Sequence, residues 1–560
     1  MYRLFAVFLV CTWTSLLFPQ AKKDPALTKV PSQAEKEWCP VIRSALAEST
    51  KLPPAMRAFV LEKVSAGLSK CSPAKASRAL LDAFTATLMI PEREEDVLAR
   101  QRRNDPSDED AMRAARANIE TKNHLQTTVL TQLLAKDEAR VQSLLPQAEP
   151  GVRNILLNRM ISKAVEERRL NRALTLLKQS PQQQFPYGAA TSLMLELTSS
   201  QEVEKQEIFQ MAMAADHESH KLNIGGDDFA GMIVRFWKHL PPAVALSAIS
   251  QVLDEAKSNE EQMSIGSGAK SANFSSEYEY RVFELLPILR ELDDEEAERL
   301  SLESSDVQEQ LKQFPNGIQS LNPAIRDTPT EKGESSSIRV MLGPSITPML
   351  HESGLSDDYE HRVSEVVQLA EKDPKQAIAA ANTLPDAEGN LAPRAQAMLR
   401  IAQAVAKTSP SAARDALGNM SESLKNVKPT ERENYRDFCA EGIEIAMKID
   451  EVDLAKKLLK QGISQAEGLE AIDNDADDPN LVLKAWWPSS AVLSRLVVAA
   501  MSISVQTALD SVAEISDPEL RLLCQVRLAN HQLNIPLGES RTMVWTSKSA
   551  WAVNRMETVN

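Results

Sequence analysis

Glycine is scarce, 18 residues in 560, and aromatic side chains make up only 5% of the chain. No segment alternates apolar and polar residues convincingly, which excludes a sheet protein. The prevalence of Ala, Leu, Glu, Gln and Lys points to helices instead. Basic excess is also missing. The net charge is −15, and a phosphate backbone demands a cationic face, so no nucleic-acid partner is expected. Catalytic punctuation is absent too. No serine sits in a Gly-x-Ser-x-Gly elbow, Gly225-Gly226-Asp227-Asp228 reads as a turn without a phosphate-loop pattern, and no cysteine has a histidine near it in sequence. No cofactor is implied.

What is present is an internal repeat. Arg394 to Leu417 matches Arg57 to Leu80 without a gap, sharing Arg57/Arg394, Ala58/Ala395, Lys70/Lys407, Ser72/Ser409, Pro73/Pro410, Ala76/Ala413, Ala79/Ala416 and Leu80/Leu417. Ala395, Met398, Leu399, Ala402 and Val405 lay an apolar stripe along a first helix. Ser409-Pro410 starts a second: the serine oxygen is placed to accept an orphan N–H, and proline at the first helical position lacks only a donor without a partner. Ser72-Pro73 and Asp373-Pro374 repeat the device. Three residues past each proline stands an alanine (Ala76, Ala377, Ala413, and Ala245 after Pro242), where a small side chain lets two helices approach closely.

Looser copies follow from spacing. A basic residue precedes the alanine by 13 positions in Lys63/Ala76, Arg400/Ala413 and Arg495/Ala508. Basic pairs six apart recur as Arg57/Lys63, Arg153/Arg159, Arg394/Arg400 and Arg521/Arg527. Residues six apart differ by about 240° around a helix, so both members of a pair cannot face one groove. A structural role, tying hairpin to hairpin, is expected in place of a ligand-binding row, with Asp386 and Asp517 as acceptors for Arg394 and Arg521.

Residues 1–21 resemble a secretory signal peptide: Arg3, an apolar run from Leu4 to Phe18, then Pro19-Gln20-Ala21. The run of 15 residues is short for a membrane span, which needs roughly 20. An uncleaved anchor is the alternative. Residues 22–321 read as an N-terminal helical-repeat block, with the polar stretch Lys257 to Ser276 as a loop. Residues 322–356, rich in Pro, Gly and Ser, offer no periodic face and read as a disordered linker. Residues 357–535 form a C-terminal helical-repeat block, and 536–560 a tail.

Three candidate sites remain. Four cysteines follow the leader, an even number in a chain expected to be exported. Cys39 precedes Pro40, near the start of one helix, and Cys71 ends the next, so an antiparallel hairpin brings them together as a disulfide if the first helix is tilted or irregular. Cys439 and Cys524 are expected buried and unpaired. His217 and His220 stand three apart beside Asp216, Asp227 and Asp228, which would suit a metal. The zinc-protease spacing of four is absent, and a solvated polar loop is the plainer expectation. Trp486-Trp487 before Pro488 form a possible interaction pair, or they close the gap between two hairpins.

The hairpins resemble those of tetratricopeptide and related α-solenoid repeats, and with the leader the chain is similar to uncharacterised exported bacterial repeat proteins. The resemblance implies an all-α, irregular α-solenoid of antiparallel helical hairpins that holds a protein partner on a concave face. The functional expectation is an exported, non-enzymatic scaffold or protein-binding module. A metal-dependent hydrolase with a site near His217, or a membrane-tethered periplasmic adaptor, is the alternative.

Overall fold

The structure, a computed structural model, describes residues 32–536 apart from 94–95, 98–108, 183–184, 222–227, 259–261, 268–269, 322–338, 343–354, 389–391, 428–437 and 476–482. The leader and nearly all of the tail lie outside the described residues. The chain is all-α. The helices are α1 (Gln33–Glu48), α2 (Pro54–Cys71), α3 (Pro73–Thr87), α4 (Glu109–Leu134), α5 (Glu138–Leu144), α6 (Pro150–Glu166), α7 (Leu170–Leu177), α8 (Tyr187–Glu196), α9 (Glu202–Lys221), α10 (Asp228–Phe236), α11 (Pro242–Ala256), α12 (Glu277–Leu292), α13 (Asp294–Glu303), α14 (Ser305–Gln313) and α15 (Ile318–Leu321). They continue as α16 (Leu355–Ala370), α17 (Pro374–Ala381), α18 (Pro393–Val405), α19 (Pro410–Leu424), α20 (Phe438–Lys448), α21 (Val452–Asp475), α22 (Pro488–Ala500), α23 (Val505–Glu514) and α24 (Pro518–Gln532).

The repeated segment falls on α2–α3 and α18–α19, as its periodicity requires. The alanines three past each proline, Ala76, Ala245, Ala377 and Ala413, are all buried, and so is Ala508. One detail differs. The Ser72 and Ser409 side chains do not cap, whereas Asp373 accepts from the Gln376 N–H at 3.1 Å. Each serine works through its backbone: the Ser72 N–H bonds Leu68 and its carbonyl accepts from Ala76, so one residue ends a helix and begins the next.

Even-numbered helices other than α14 pack side by side in one row, and each carries an odd-numbered partner. The row does not follow chain order. It runs α16, α18, α20, α22, α24 and then passes directly to α2, α4, α6, α8, α10 and α12. The last helix, α24, takes the first helix, α1, as its partner. Chain start and chain end therefore meet in the middle of the array.

In this arrangement the stretches read as blocks 22–321 and 357–535 share a core. One hydrophobic core joins Trp38, Ile42, Met56 and Val64 to Leu417, Leu496, Leu523 and Leu528, and a second runs from Leu61 and Phe84 to Val307. The two cores meet in α2 and α3. Inside the expected linker, Arg339–Leu342 is strand β3; it pairs antiparallel with β1 (Met263–Ser267), which also pairs with β2 (Lys270–Phe274). The stretch expected as a loop, 257–276, thus contains a β-hairpin. Met263, Ile265, Ala272 and Phe274 bury themselves against Tyr280, Phe283 and Phe314.

Candidate functional site

The repeated arginines act where helix meets helix. Arg394 Nε donates to the Leu384 carbonyl at 2.9 Å, and its guanidinium pairs with Asp386 at 2.9 Å. Arg153 and Arg521 reach the carbonyls of Ala148 and Ser516, five residues back in the preceding loop, at 3.3 and 3.1 Å. The later member of a pair turns to a neighbouring helix. Arg159 donates to Thr131 on α4, and Arg527, buried, donates to Ser494 and the Ser490 carbonyl on α22. Lys63 instead pairs with Glu62 at 3.0 Å and lies over the Phe59 ring. Asp517 does not take Arg521. It caps α24 through the Glu519 and Leu520 N–H groups and pairs with Lys484. Burial works against the Asp517 charge, yet these partners hold its carboxyl below the usual range. Replacing Arg394 by Gln is expected to cost about 1 kcal/mol of stability, because a partly exposed pair and one carbonyl bond are lost. Thermal melting checks it, and an unchanged melting temperature would contradict the structural role.

The cysteines are placed as follows. Cys39 and Cys71 form a disulfide with Cα atoms 5.5 Å apart. The expected start of the first helix at Pro40 is corrected: α1 begins at Gln33 and Pro40 lies inside it. A 3-10 turn, Ser49–Lys51, lengthens this shorter arm. Cys439 and Cys524 are buried outside any disulfide, and burial pushes the Cys524 thiol up to about 11.

The tryptophan pair closes a gap. Trp487 is buried, and Trp486 meets the His124 ring of α4 edge-on at a centroid distance of 5.2 Å. These rings therefore join α22 to the first half of the chain.

The polar cluster near His217 is the candidate of chemical type that the structure assembles among the described residues. Asp216, His217 and His220 occupy the last turns of α9, not a loop, so the spacing of four between Asp216 and His220 puts both on one face. Glu255, near the end of α11, completes the group. Its Oε1 lies 2.9 Å from His217 Nδ1, and its Oε2 lies 3.1 Å from His220 Nδ1. His220 Nδ1 is also 4.0 Å from Asp216 Oδ1. Ligand atoms of Asp216, His220 and Glu255 all fall within 4.8 Å of one another. Asp216 is only 2% exposed. Burial raises its carboxyl and the adjacent Glu255 carboxylate raises it further, to about 8, against the pull of Arg281 on α12. His220 Nδ1 and Glu255 Oε2 are buried atoms without a hydrogen-bond partner despite facing each other. Asp227 is outside the described residues. The i, i+3 histidines were legible in sequence, whereas Glu255, 35 residues after His220, carries no local signal.

A second feature was not read from sequence. Two shallow grooves of about 530 and 760 Å³ share Lys457 and run over α17, α19 and α21, the partner helices of three successive pairs. Leu424, Val427 and Gln461 floor one of them, with Lys425, Lys457 and Lys460 at its rim. No family model, no curated protein and no solved structure matches the chain.

Proposed function

We propose that the chain is an exported, non-enzymatic helical-repeat scaffold, an irregular α-solenoid of the tetratricopeptide-like kind, that holds a protein partner. The observation that carries this reading is the recessed face continued over α17, α19 and α21. A groove that crosses successive repeats, and belongs to no single one, suits an extended segment of another protein. Its chemistry favours a segment bearing both apolar and acidic side chains: half-buried Val427 and Ile378 offer apolar surface, and Lys425, Lys457 and Lys460 border one end. Glu422 partly neutralises two of these lysines, at 2.6 Å from Lys425 and 3.1 Å from Lys457. Affinity would then rest on apolar contact together with the charge that Glu422 leaves on this rim.

Photo-cross-linking tests the proposal. A cross-linker at Lys457 is expected to capture a specific protein from the native envelope fraction, and one at Arg78, exposed on α3, is not. K457E/K460E is expected to weaken that capture at least tenfold while the circular dichroism and melting temperature stay at wild-type values. Equal capture from both positions, or capture indifferent to the charge reversal, would refute the groove. Among the described residues no helix is long and apolar enough to cross a membrane.

A further inference from the structure

The cluster on α9 and α11 reaches beyond a scaffold role. It brings two carboxylates and an imidazole from two helices to one point. Three protein groups of oxygen and nitrogen type are what a zinc-class ion takes from a protein when a fourth position is left for water. We propose that Asp216, His220 and Glu255 bind a divalent transition-metal ion of the zinc class, with His217 holding the second oxygen of Glu255.

The distances need little change. Tetrahedral ligands at about 2.0–2.1 Å from the ion lie roughly 3.3 Å from one another. His220 Nδ1 and Glu255 Oε2 are already 3.1 Å apart, and His220 Nδ1 and Asp216 Oδ1 must close from 4.0 Å. His220 is less enclosed than Asp216 and stands one residue from the end of α9, so its ring has room to turn. The His217 contact to Glu255 Oε1 is the outer-shell bond that fixes a ligating carboxylate.

The surroundings favour a cation. Arg281 is the nearest cation on α12, and it is already engaged by Glu277 at 3.2 Å and Glu284 at 2.7 Å. Asp216 and Glu255 therefore face each other beside a single arginine that two other carboxylates share. Gln251 Nε2, which donates to the Met213 carbonyl at 3.0 Å, lies 3.5 Å from Asp216 Oδ2, a marginal bond that leaves the second Asp216 oxygen for the ion. Finally, His220 Nδ1 and Glu255 Oε2 are buried atoms without a hydrogen bond, 3.1 Å from each other. Such atoms normally have a partner, and an ion between them supplies it.

The test uses untagged full chain dialysed against chelator and titrated with Zn²⁺ by calorimetry, with Co²⁺ absorption as a report on ligand type. One equivalent is expected to bind, with a Co²⁺ visible spectrum of nitrogen and oxygen ligation. D216N and H220Q are expected to weaken Zn²⁺ at least a hundredfold, and H217Q roughly tenfold as an outer-shell change. D216N replaces one of two facing carboxylates by a neutral group of the same shape, so the metal-free variant should melt no lower than the metal-free wild type. That separates lost ligation from lost folding, and H220Q at the more exposed ligand provides the same comparison should D216N fail to fold. No stoichiometric Zn²⁺ on the wild type, or equal affinity in D216N and H220Q, would overturn the site. Neither result touches the groove on α17, α19 and α21, which is tested separately.

Discussion

Replacing Cys39 and Cys71 together by alanine is expected to destabilise the protein by about 3–4 kcal/mol on the loop-entropy account, since the bridge closes 32 residues. The consequence should be larger than for a surface hairpin. Helix α1 carries Pro40 in its interior, and an interior proline costs a helix about 3 kcal/mol or more. The penalty and the gain from the bridge are of similar size, so the bridge offsets much of what Pro40 costs α1. Helix α1 in turn covers α24 with Trp38, Ile42 and Ala45. Urea unfolding of the oxidised wild type and the double variant measures the difference through the midpoint at constant m. Midpoints that coincide would mean that α1 docks without the bridge. Non-reducing peptide mapping should recover Cys39 and Cys71 in one linked peptide.

The sequence was most legible where structure is local. Pro73, Pro410 and the alanines three residues on sit in register with the turn geometry they serve, so α2–α3 and α18–α19 could be read directly. The acceptors of Arg153, Arg394 and Arg521 lie in the loop just before each helix, within reach of a sequence reading, whereas Arg57 Nε is buried without a hydrogen-bond partner. What could not be read is spatial order. Nothing in Asn530 or Lys63 marks them as partners, though Asn530 Nδ2 donates to the Lys63 carbonyl at 2.9 Å across 467 positions. A repeat makes this worse, since every first helix offers a similar apolar stripe and sequence neighbours are the natural guess. The β-hairpin was hidden for another reason. Met263–Ser267 and Lys270–Phe274 are short and half polar, and their apolar faces are defined by Phe283 and Phe314 beneath them. The His217 cluster was half visible, because two of its members share a helix and Glu255 arrives on another.

A chain cut between residues 343 and 354, through an inserted protease site, is expected to remain one particle. The expected linker joins α15 to α16, but the contact that holds the halves together is elsewhere, where α24 packs on α1 and α2. Two features tie it, the Asn530 bond to Lys63 and the close approach permitted by Gly67, and beside it the Trp486 ring meets His124 of α4. A Cβ at Gly67 would lie 2.6 Å from Asn530 Oδ1 and 2.7 Å from Ile42 Cδ1. Both side chains are buried, Asn530 at 3% exposure and Ile42 at 0%, so neither can swing into solvent to make room. Overpacking of this kind costs typically about 1–3 kcal/mol. In the intact chain G67A would register as that much lost stability. In the cut chain the same energy becomes a difference in association, roughly 5- to 150-fold in the dissociation constant at 1.4 kcal/mol per decade. Size-exclusion chromatography after proteolysis reads both outcomes: the wild type should elute at the mass of the uncut protein, and cut G67A should separate at concentrations where cut wild type does not. If cut wild type falls into two folded pieces in native buffer, residues 32–321 and 355–536 are independent blocks and the core shared by α1, α2 and α24 does not hold them.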